Sequence, residues 1–149
     1  MTQLSFHSAI GDLTLTEEDG HLVSLDWGWA RDQASTLLLE KAKRQVLDYL
    51  AAKRNHFDLP LAPAGTVFQK RVWKAMCAIP FGRTKTYGEL ADKLKSAPRA
   101  VGGACGKNPI PIIIPCHRIL GAHGQLGGYS GEGGTDTKRR LLTLEGVSL

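Results

Sequence analysis

Residues 86–106 read TYGELADKLKSAPRAVGGACG and predict two short helices joined by a tight turn. Thr86 and Glu89 have the spacing of a capping box, in which the two side chains satisfy free backbone N–H groups at a helix start. The first helix is expected to end at about Leu94. The second is expected to begin near Pro98, because a first helical turn tolerates proline. Two such helices form a candidate helix-turn-helix.

Small side chains line the second of these helices. Gly102 and Gly103 stand in its middle, and each glycine inside a helix costs about 1 kcal/mol relative to alanine. Two in succession therefore need a reason, and small residues allow a helix to approach another surface closely. That surface is either a neighbouring helix or the groove of DNA, and these residues alone favour neither.

A longer helix is expected to precede this pair. Thr66 and Gln69 form a further capping box, and the apolar residues that follow recur at helical spacing. The sequence Pro80-Phe81-Gly82 then ends the helix. Its predicted buried stripe comprises Phe68, Val72, Ala75, Met76 and Ile79.

The segment after the pair carries isoleucines between prolines. Residues 110–115 read IPIIIP and predict a short buried strand, since the prolines prevent a long central one. A glycine-rich loop over 121–134 contains seven glycines. A last helix is expected over Thr137–Glu145, with Asp136 as its cap.

The N-terminal third has the pattern of a small sheet and one helix. Apolar and polar residues alternate as in half-buried strands. The predicted strands are 4–7, 13–16 and 21–27. A helical pattern runs from about Asp32 to Lys53, and 56–65 has the composition of a linker. We expect an α/β chain in two parts. A small N-terminal domain of sheet and helix spans 1–63, and a mainly helical domain with the helix-turn-helix and an active-site loop spans 64–149.

The charge of the chain is divided unevenly around a net value of +5. Residues 1–65 carry six Lys and Arg against nine Asp and Glu, whereas residues 66–149 carry 13 against five. A basic half of this kind attracts polyanions such as DNA. No apolar stretch approaches the ~18 residues of a membrane span, and no signal-peptide pattern is present. A cytoplasmic protein without a membrane partner is expected.

Cys116 is the residue best placed for chemistry. It follows the isoleucines directly and precedes His117 and Arg118. A free cysteine has a pKa near ~8.5, so a reactive thiol needs a nearby cation or base, and these two neighbours are candidates. If the chain turns into a helical hook after Pro115, His117 reaches the sulfur directly or through water. The alternative is a small buried cysteine beside a surface histidine.

The other cysteines and the histidines offer less. Cys77 lies near the end of an apolar helix and is expected in the core. Cys105 could face the groove side of its helix, although nothing nearby in sequence would activate it. An odd number of cysteines without a CxxC pair argues against a disulfide framework. The five histidines lack metal-ligand spacing, so no metal is expected.

Two further polar residues each have two interpretations. Tyr87 is either an ordinary buried tyrosine with a satisfied hydroxyl or a proton donor beside a heterocycle. Glu145 is either a solvated charge near a helix end or a partner for a histidine.

Residues 114–119, IPCHRI, resemble the active-site motif of the methylated-DNA–protein-cysteine methyltransferases, the O6-alkylguanine-DNA alkyltransferases. Further stretches match this family at its spacing: Phe81-Gly82, Thr86–Ala91, Arg99–Ala104, Asn108-Pro109, Gly128–Ser130, and Leu141-Leu142 with Glu145-Gly146. Together they cover the chain from about residue 66 to its end. The N-terminal part is similar in outline to the family's small sheet-and-helix domain.

The resemblance implies a chemistry for the site. Cys116 would accept a methyl or small alkyl group from O6 of guanine, and also from O4 of thymine, in one irreversible transfer that needs no cofactor. His117 would take the thiol proton through a water, and Glu145 would orient the imidazole. Tyr87 would donate a hydrogen bond to the guanine ring nitrogen, and Asn108 would brace the turn that carries the site.

The resemblance also implies the partner, double-stranded DNA that carries O6-alkylguanine. The helix from Arg99 would enter the minor groove, and Arg99 would fill the stack after the damaged nucleotide rotates out. The residues implied to contact the substrate are Arg99, Ala100, Gly102, Gly103, Ile119, Tyr129 and Ser130. A monomer is expected, with assembly on DNA left open.

Three other functions compete with this one. A non-catalytic lesion-binding relative would lack the nucleophile, whereas Cys116 is present. A helix-turn-helix regulator needs base-specific polar side chains on its recognition helix, and a surface of Gly and Ala offers few. A cysteine hydrolase needs an oxyanion hole, and no glycine-flanked pattern for one surrounds Cys116.

Overall fold

The structure, a computed structural model, describes residues 1–127 and 134–149. The chain divides into two compact units, Met1–Ala64 and Gly65–Leu149. Within the described residues, no helix combines the length and the apolar composition needed to cross a membrane.

The first unit is an antiparallel three-stranded sheet with one helix. Its strands lie in the order β1 (Thr2–Phe6), β2 (Leu13–Glu18) and β3 (His21–Trp27). Helix α1 (Leu37–Leu50) begins later than predicted, because Thr36 caps it by accepting a hydrogen bond from the backbone of Leu39. Of the apolar residues predicted to share one face of α1, Leu39, Ala42, Val46 and Tyr49 are buried, whereas Leu50 is half-buried.

Part of the predicted linker is ordered along β3. The backbone N–H of Leu22 donates to Pro60, and that of Ala62 donates to Leu22. Residues 60–62 therefore continue the hydrogen bonding of the sheet beyond β3, which a composition rich in proline and alanine did not predict.

The second unit is mainly helical, as expected. Its elements are α2 (Val67–Cys77), β4 (Lys85–Thr86), α3 (Tyr87–Leu94), α4 (Pro98–Gly106), β5 (Ile119–Leu120) and α5 (Thr135–Leu144). Both capping boxes are present, at Thr66 with Gln69 and at Thr86 with Glu89. The cap predicted for α5 is wrong: Asp136 lies inside its first turn, because the helix already begins after Gly134.

Helix α2 is fixed against α4 by a residue that the predicted stripe omitted. Trp73 is buried, and its Nε1 donates to the carbonyl of Ala104 at 2.9 Å. Phe68, which the stripe included, is only half-buried. The core of this unit therefore forms on a stripe rotated slightly towards Trp73.

The strand predicted at the isoleucines is wrong, and the segment folds as a turn. Ile112 has a φ of 75°, which lies outside the β region, and the N–H of Ile114 donates back to Ile110. The prolines at 109, 111 and 115 remove three backbone donors, so the segment cannot pair regularly with a neighbour. Burial alone was predicted correctly, since Ile110, Ile112 and Ile114 are all buried.

Candidate active site

Cys116 begins a single 3₁₀ turn, Cys116–Arg118, directly after the isoleucine turn. The chain thus makes the helical hook that a cysteine–histidine contact needs. The N–H of Arg118 donates to Pro115, and that of Ile119 donates to Cys116. Cys116 is 6% exposed, so its sulfur lies in a covered site.

Asn108 holds both ends of the turn that leads to Cys116. Its Nδ2 donates to the carbonyl of Ile114 at 2.9 Å, and its Oδ1 accepts from the N–H of Ile110 at 3.0 Å. The side chain is itself buried. A buried amide that satisfies two backbone groups fixes the local backbone, because leaving either group unpaired costs about 1–3 kcal/mol.

His117 and Glu145 form a buried pair. Nε2 of His117 lies 2.7 Å from Oε2 of Glu145, and both side chains are fully buried. Burial lowers the pKa of His117 from its ordinary value. The hydrogen bond to Glu145 opposes this shift, whereas the positive charges of Arg118 and Lys138 add to it. The imidazole is therefore neutral near pH 7 and can accept a proton.

Arg118 faces Glu145, although the sequence suggested it as a cation for the thiol. Its Nε lies 2.9 Å from Oε1 of Glu145 and its Nη2 lies 3.0 Å from Oε2. Its Nη1 donates to the carbonyl of Ile79 at 2.6 Å, and the guanidinium lies 6.0 Å from the ring of Phe81. The N–H of Gly82 also donates to Oε1 at 3.0 Å. Among the described residues, Glu145 thus accepts from Arg118, from the backbone of Gly82 and from His117.

Lys138 is a site residue that the sequence analysis missed. It lies on α5 and is fully buried, and its charge interacts with the thiols of Cys116 and Cys105. Burial lowers the pKa of Lys138, and the two thiols oppose that shift. One signal could have identified it: Lys138, Leu141 and Glu145 share a helical face. In the sequence, Lys138 begins a run of basic residues, and such a run does not indicate which of its members is buried.

Tyr87, the first residue of α3, lies near Gly102 and Gly127 in space. A Cβ built on Gly102 would lie 3.9 Å from its ring, and one built on Gly127 would lie 4.0 Å from its hydroxyl oxygen. Burial raises the pKa of Tyr87, and Cys105 and Cys116 raise it further. The phenol therefore stays protonated and can donate. A Cβ on Gly102 would make only an ordinary van der Waals contact with the ring, and the described residues place nothing within 4 Å of a Cβ on Gly103. Packing within the described residues therefore explains neither glycine.

The other two cysteines differ from each other. The expectation that Cys77 belongs to the core is wrong: it is exposed, because the last turn of α2 buries Met76 and leaves the next position outward. Cys105 is buried, with its sulfur 3.5 Å from that of Met76. Burial raises the pKa of Cys105 to about 12, with a contribution from Cys116, so it is a poor nucleophile.

The residues predicted to contact substrate are partly described. Arg99, Ala100 and Gly103 are exposed on α4, and Gly102 is partly exposed. Ile119 is buried where β5 pairs in parallel with β4, opposite Lys85. The predicted contacts at Tyr129 and Ser130 lie outside the described residues.

Gly82→Ala is expected to destabilise the second unit by about 2 kcal/mol, because a side chain at positive φ costs ~1–2 kcal/mol and the contact adds strain. Gly82 has a φ of 78°, and an added Cβ would lie 3.1 Å from the carbonyl oxygen of Glu145. The matched control is Gly146→Ala, where φ is 82° and the described residues leave the space open. Urea denaturation measures both; equal losses for the two variants would contradict a role for the contact.

Comparison with known proteins places this geometry in a family. Residues 67–147 match the family model "6-O-methylguanine DNA methyltransferase, DNA binding domain", and residues 2–63 match its "ribonuclease-like domain". A Methanosarcina mazei protein named methylated-DNA–protein-cysteine methyltransferase is 45% identical over 133 residues, 88% of this chain and 80% of its own. A Mycobacterium tuberculosis protein of the same name is 43% identical over 150 residues, 93% of this chain and 88% of its own.

The fold comparison agrees with the sequence comparison. The crystal structure of Mycobacterium tuberculosis OGT in complex with DNA superposes with a TM-score of 0.88 at 42% identity, over 97% of this chain and 92% of that one. A crystal structure of the O6-methylguanine methyltransferase of the same organism gives a TM-score of 0.85 over the same shares. This chain therefore belongs to the 6-O-methylguanine DNA methyltransferase family.

Proposed function

We propose that this chain repairs DNA by transferring a methyl or small alkyl group from O6 of guanine, and from O4 of thymine, to Cys116. The observation that carries the proposal is the hook in which Cys116 precedes a neutral His117 hydrogen-bonded to Glu145 at 2.7 Å. Relatives named methylated-DNA–protein-cysteine methyltransferase, and one solved in complex with DNA, support the substrate class and the DNA partner.

In the proposed reaction, the thiol proton of Cys116 passes to His117 through a water. The sulfur then forms a bond to the alkyl carbon as the carbon–O6 bond breaks, and the electron pair of that bond goes to the guanine. Tyr87 donates a hydrogen bond to the guanine ring nitrogen, which offsets the charge that develops there. The positive charge of Lys138 favours the thiolate before attack. The thioether has no easy leaving step, so each molecule acts once.

DNA is proposed to meet α4 through its minor groove. The exposed Ala100 and Gly103 allow close approach, and the exposed Arg99 occupies the stack after the damaged nucleotide rotates out. The carbonyls of Cys116 and Ile119 accept from the exocyclic amine of guanine. We propose that the protein acts as a monomer.

The test is the intact mass of the protein after incubation with DNA that carries one O6-methylguanine. We expect one added methyl group per chain, mapped by peptide analysis to Cys116, with no further gain in excess DNA. Cys77→Ala and Cys105→Ala are the matched controls, and both should still take one methyl group. A methyl group mapped to Cys77 or Cys105, or repeated turnover, would contradict the proposal.

A further inference from the structure

The carboxylate of Glu145 is shared between two side chains. Oε2 lies 2.7 Å from Nε2 of His117 and 3.0 Å from Nη2 of Arg118, and Oε1 lies 2.9 Å from Nε of Arg118. The side chain of Glu145 is fully buried and that of Arg118 is 8% exposed. A carboxyl group this far from water ionises only with a close opposite charge, and among the described residues the guanidinium of Arg118 supplies it in a two-pronged contact.

We propose that Arg118 is a positioning residue for the alkyl transfer. By binding both oxygens of Glu145, it keeps that carboxylate ionised and so determines which ring nitrogen of His117 carries the proton. This inference rests on the function proposed above, and it concerns how His117 becomes able to take the proton of Cys116.

The argument from Glu145 to His117 follows from the hydrogen-bonding capacity of each group. An ionised carboxylate only accepts, so Nε2 of His117 must donate to it, and the lone pair of the neutral ring is then on Nδ1. A protonated Glu145 would instead donate to Nε2. The ring proton would then sit on Nδ1, and no nitrogen would remain to accept a proton from the thiol. Arg118 therefore selects the tautomer that can act as a base.

Arg118 also sets the charge around His117. From α5 the imidazole faces Lys138, and just past the end of α5 it faces Glu145; on its own turn it has Arg118 and Cys116 as neighbours. From α2, Cys77 interacts with Arg118. Arg118 offsets the negative charge of Glu145, so that His117 stays neutral. Without that positive charge, the pair of Glu145 and His117 would hold one further proton up to a higher pH. Whether that proton sits on Glu145 or on the imidazole, no ring nitrogen would be left to accept a proton from the thiol.

The test combines Arg118→Met, which removes the charge, with Arg118→Lys, which keeps it. The rate of single-turnover methyl transfer is measured against pH, and nitrogen-15 NMR of the histidines reports the tautomer and titration of His117. The base must be neutral, so the rate rises with pH through the pKa of His117. Wild type should keep this rise below about pH 6.5, the ordinary histidine value. Arg118→Met should move it to higher pH, the usual effect of losing one close positive charge. Arg118→Lys, which keeps the charge but loses the two-pronged contact, should lie between Arg118→Met and the wild type.

Three outcomes would overturn the inference. The first is an Nδ1–H tautomer of His117 in the wild-type protein, which needs no variant and so stands even if Arg118→Met fails to fold. The second is a folded Arg118→Met with a lower melting temperature and an unchanged pH profile, since this would make Arg118 merely structural. The third is Arg118→Lys with its rise at a higher pH than that of Arg118→Met, since a retained positive charge would then not favour the neutral imidazole. If wild type transfers no methyl group at all, the proposed function fails instead, and the NMR measurement still decides the tautomer.

Discussion

Cys116→Ala is expected to abolish methyl transfer from O6-methylguanine while leaving the chain folded and able to bind DNA. Alanine removes the sulfur and adds nothing to a covered site, so the loss of one small group should cost little stability. The exposed residues of α4, which we propose to meet DNA, are unchanged by the substitution. Intact mass measures the transfer, fluorescence anisotropy measures DNA binding, and a thermal melt checks the fold.

The control for this prediction is Cys77→Ala, because Cys77 is an exposed cysteine of the same unit. It should transfer at the wild-type rate. Methyl transfer by Cys116→Ala at a comparable rate would show that another group is the acceptor. Loss of DNA binding together with transfer would mean that the substitution disturbs the DNA interface as well as the chemistry.

Glu145→Gln is expected to lower the free energy of unfolding by about 3–5 kcal/mol, the usual cost of removing one partner of a buried ion pair. Glutamine leaves the guanidinium of Arg118 buried without its opposite charge. Its amide also has one acceptor oxygen, whereas Glu145 accepts from Arg118, His117 and Gly82. Urea denaturation followed by circular dichroism measures the loss.

An exposed acid gives the matched comparison for this stability effect. Asp92 is exposed on α3, so Asp92→Asn should change the free energy of unfolding by less than about 0.5 kcal/mol, as surface substitutions usually do. Equal and small effects of Asp92→Asn and Glu145→Gln would mean that the ion pair of Glu145 and Arg118 contributes little to stability.

The features that the sequence predicted well depend on near neighbours in the chain. The capping boxes at Thr66 and Thr86 join residues three apart, so the starts of α2 and α3 follow from the sequence alone. The motif around Cys116 is equally local. The sequence analysis named a helical hook after Pro115 only as the condition under which His117 reaches the sulfur. In the structure this hook is one 3₁₀ turn.

The isoleucine segment shows why a strand predicted from apolar residues alone can be wrong. Three isoleucines favour a strand, but backbone donors decide whether a strand can form. Here prolines remove donors, and the side chain of Asn108 bonds to the two backbone groups at the ends of the segment. A pattern of apolar residues does not show whether a polar side chain will bind backbone groups that a neighbouring strand would otherwise bind.

The contacts around the candidate site could not be predicted from the sequence, because they join residues far apart in the chain. Glu145 meets Arg118 and His117 across 27 and 28 residues of chain, and the sequence could raise only the Glu145–histidine contact as one interpretation. The sequence offered Arg118 only as a candidate cation for the neighbouring thiol, whereas its carboxylate partner, Glu145, lies just beyond the end of α5. Lys138 stands in a run of basic residues that a solvated helix face explains equally well.

The contrast between a covered Cys116 and an exposed Cys77 has a consequence for a reagent that works once. A thiol consumed by its first reaction must survive stray electrophiles in solution until its target arrives. Cys116 is 6% exposed, so the packing around it limits the access of small, diffusing electrophiles. If Cys116 is the acceptor proposed above, this shelter preserves the working lifetime of each molecule until it meets damaged DNA.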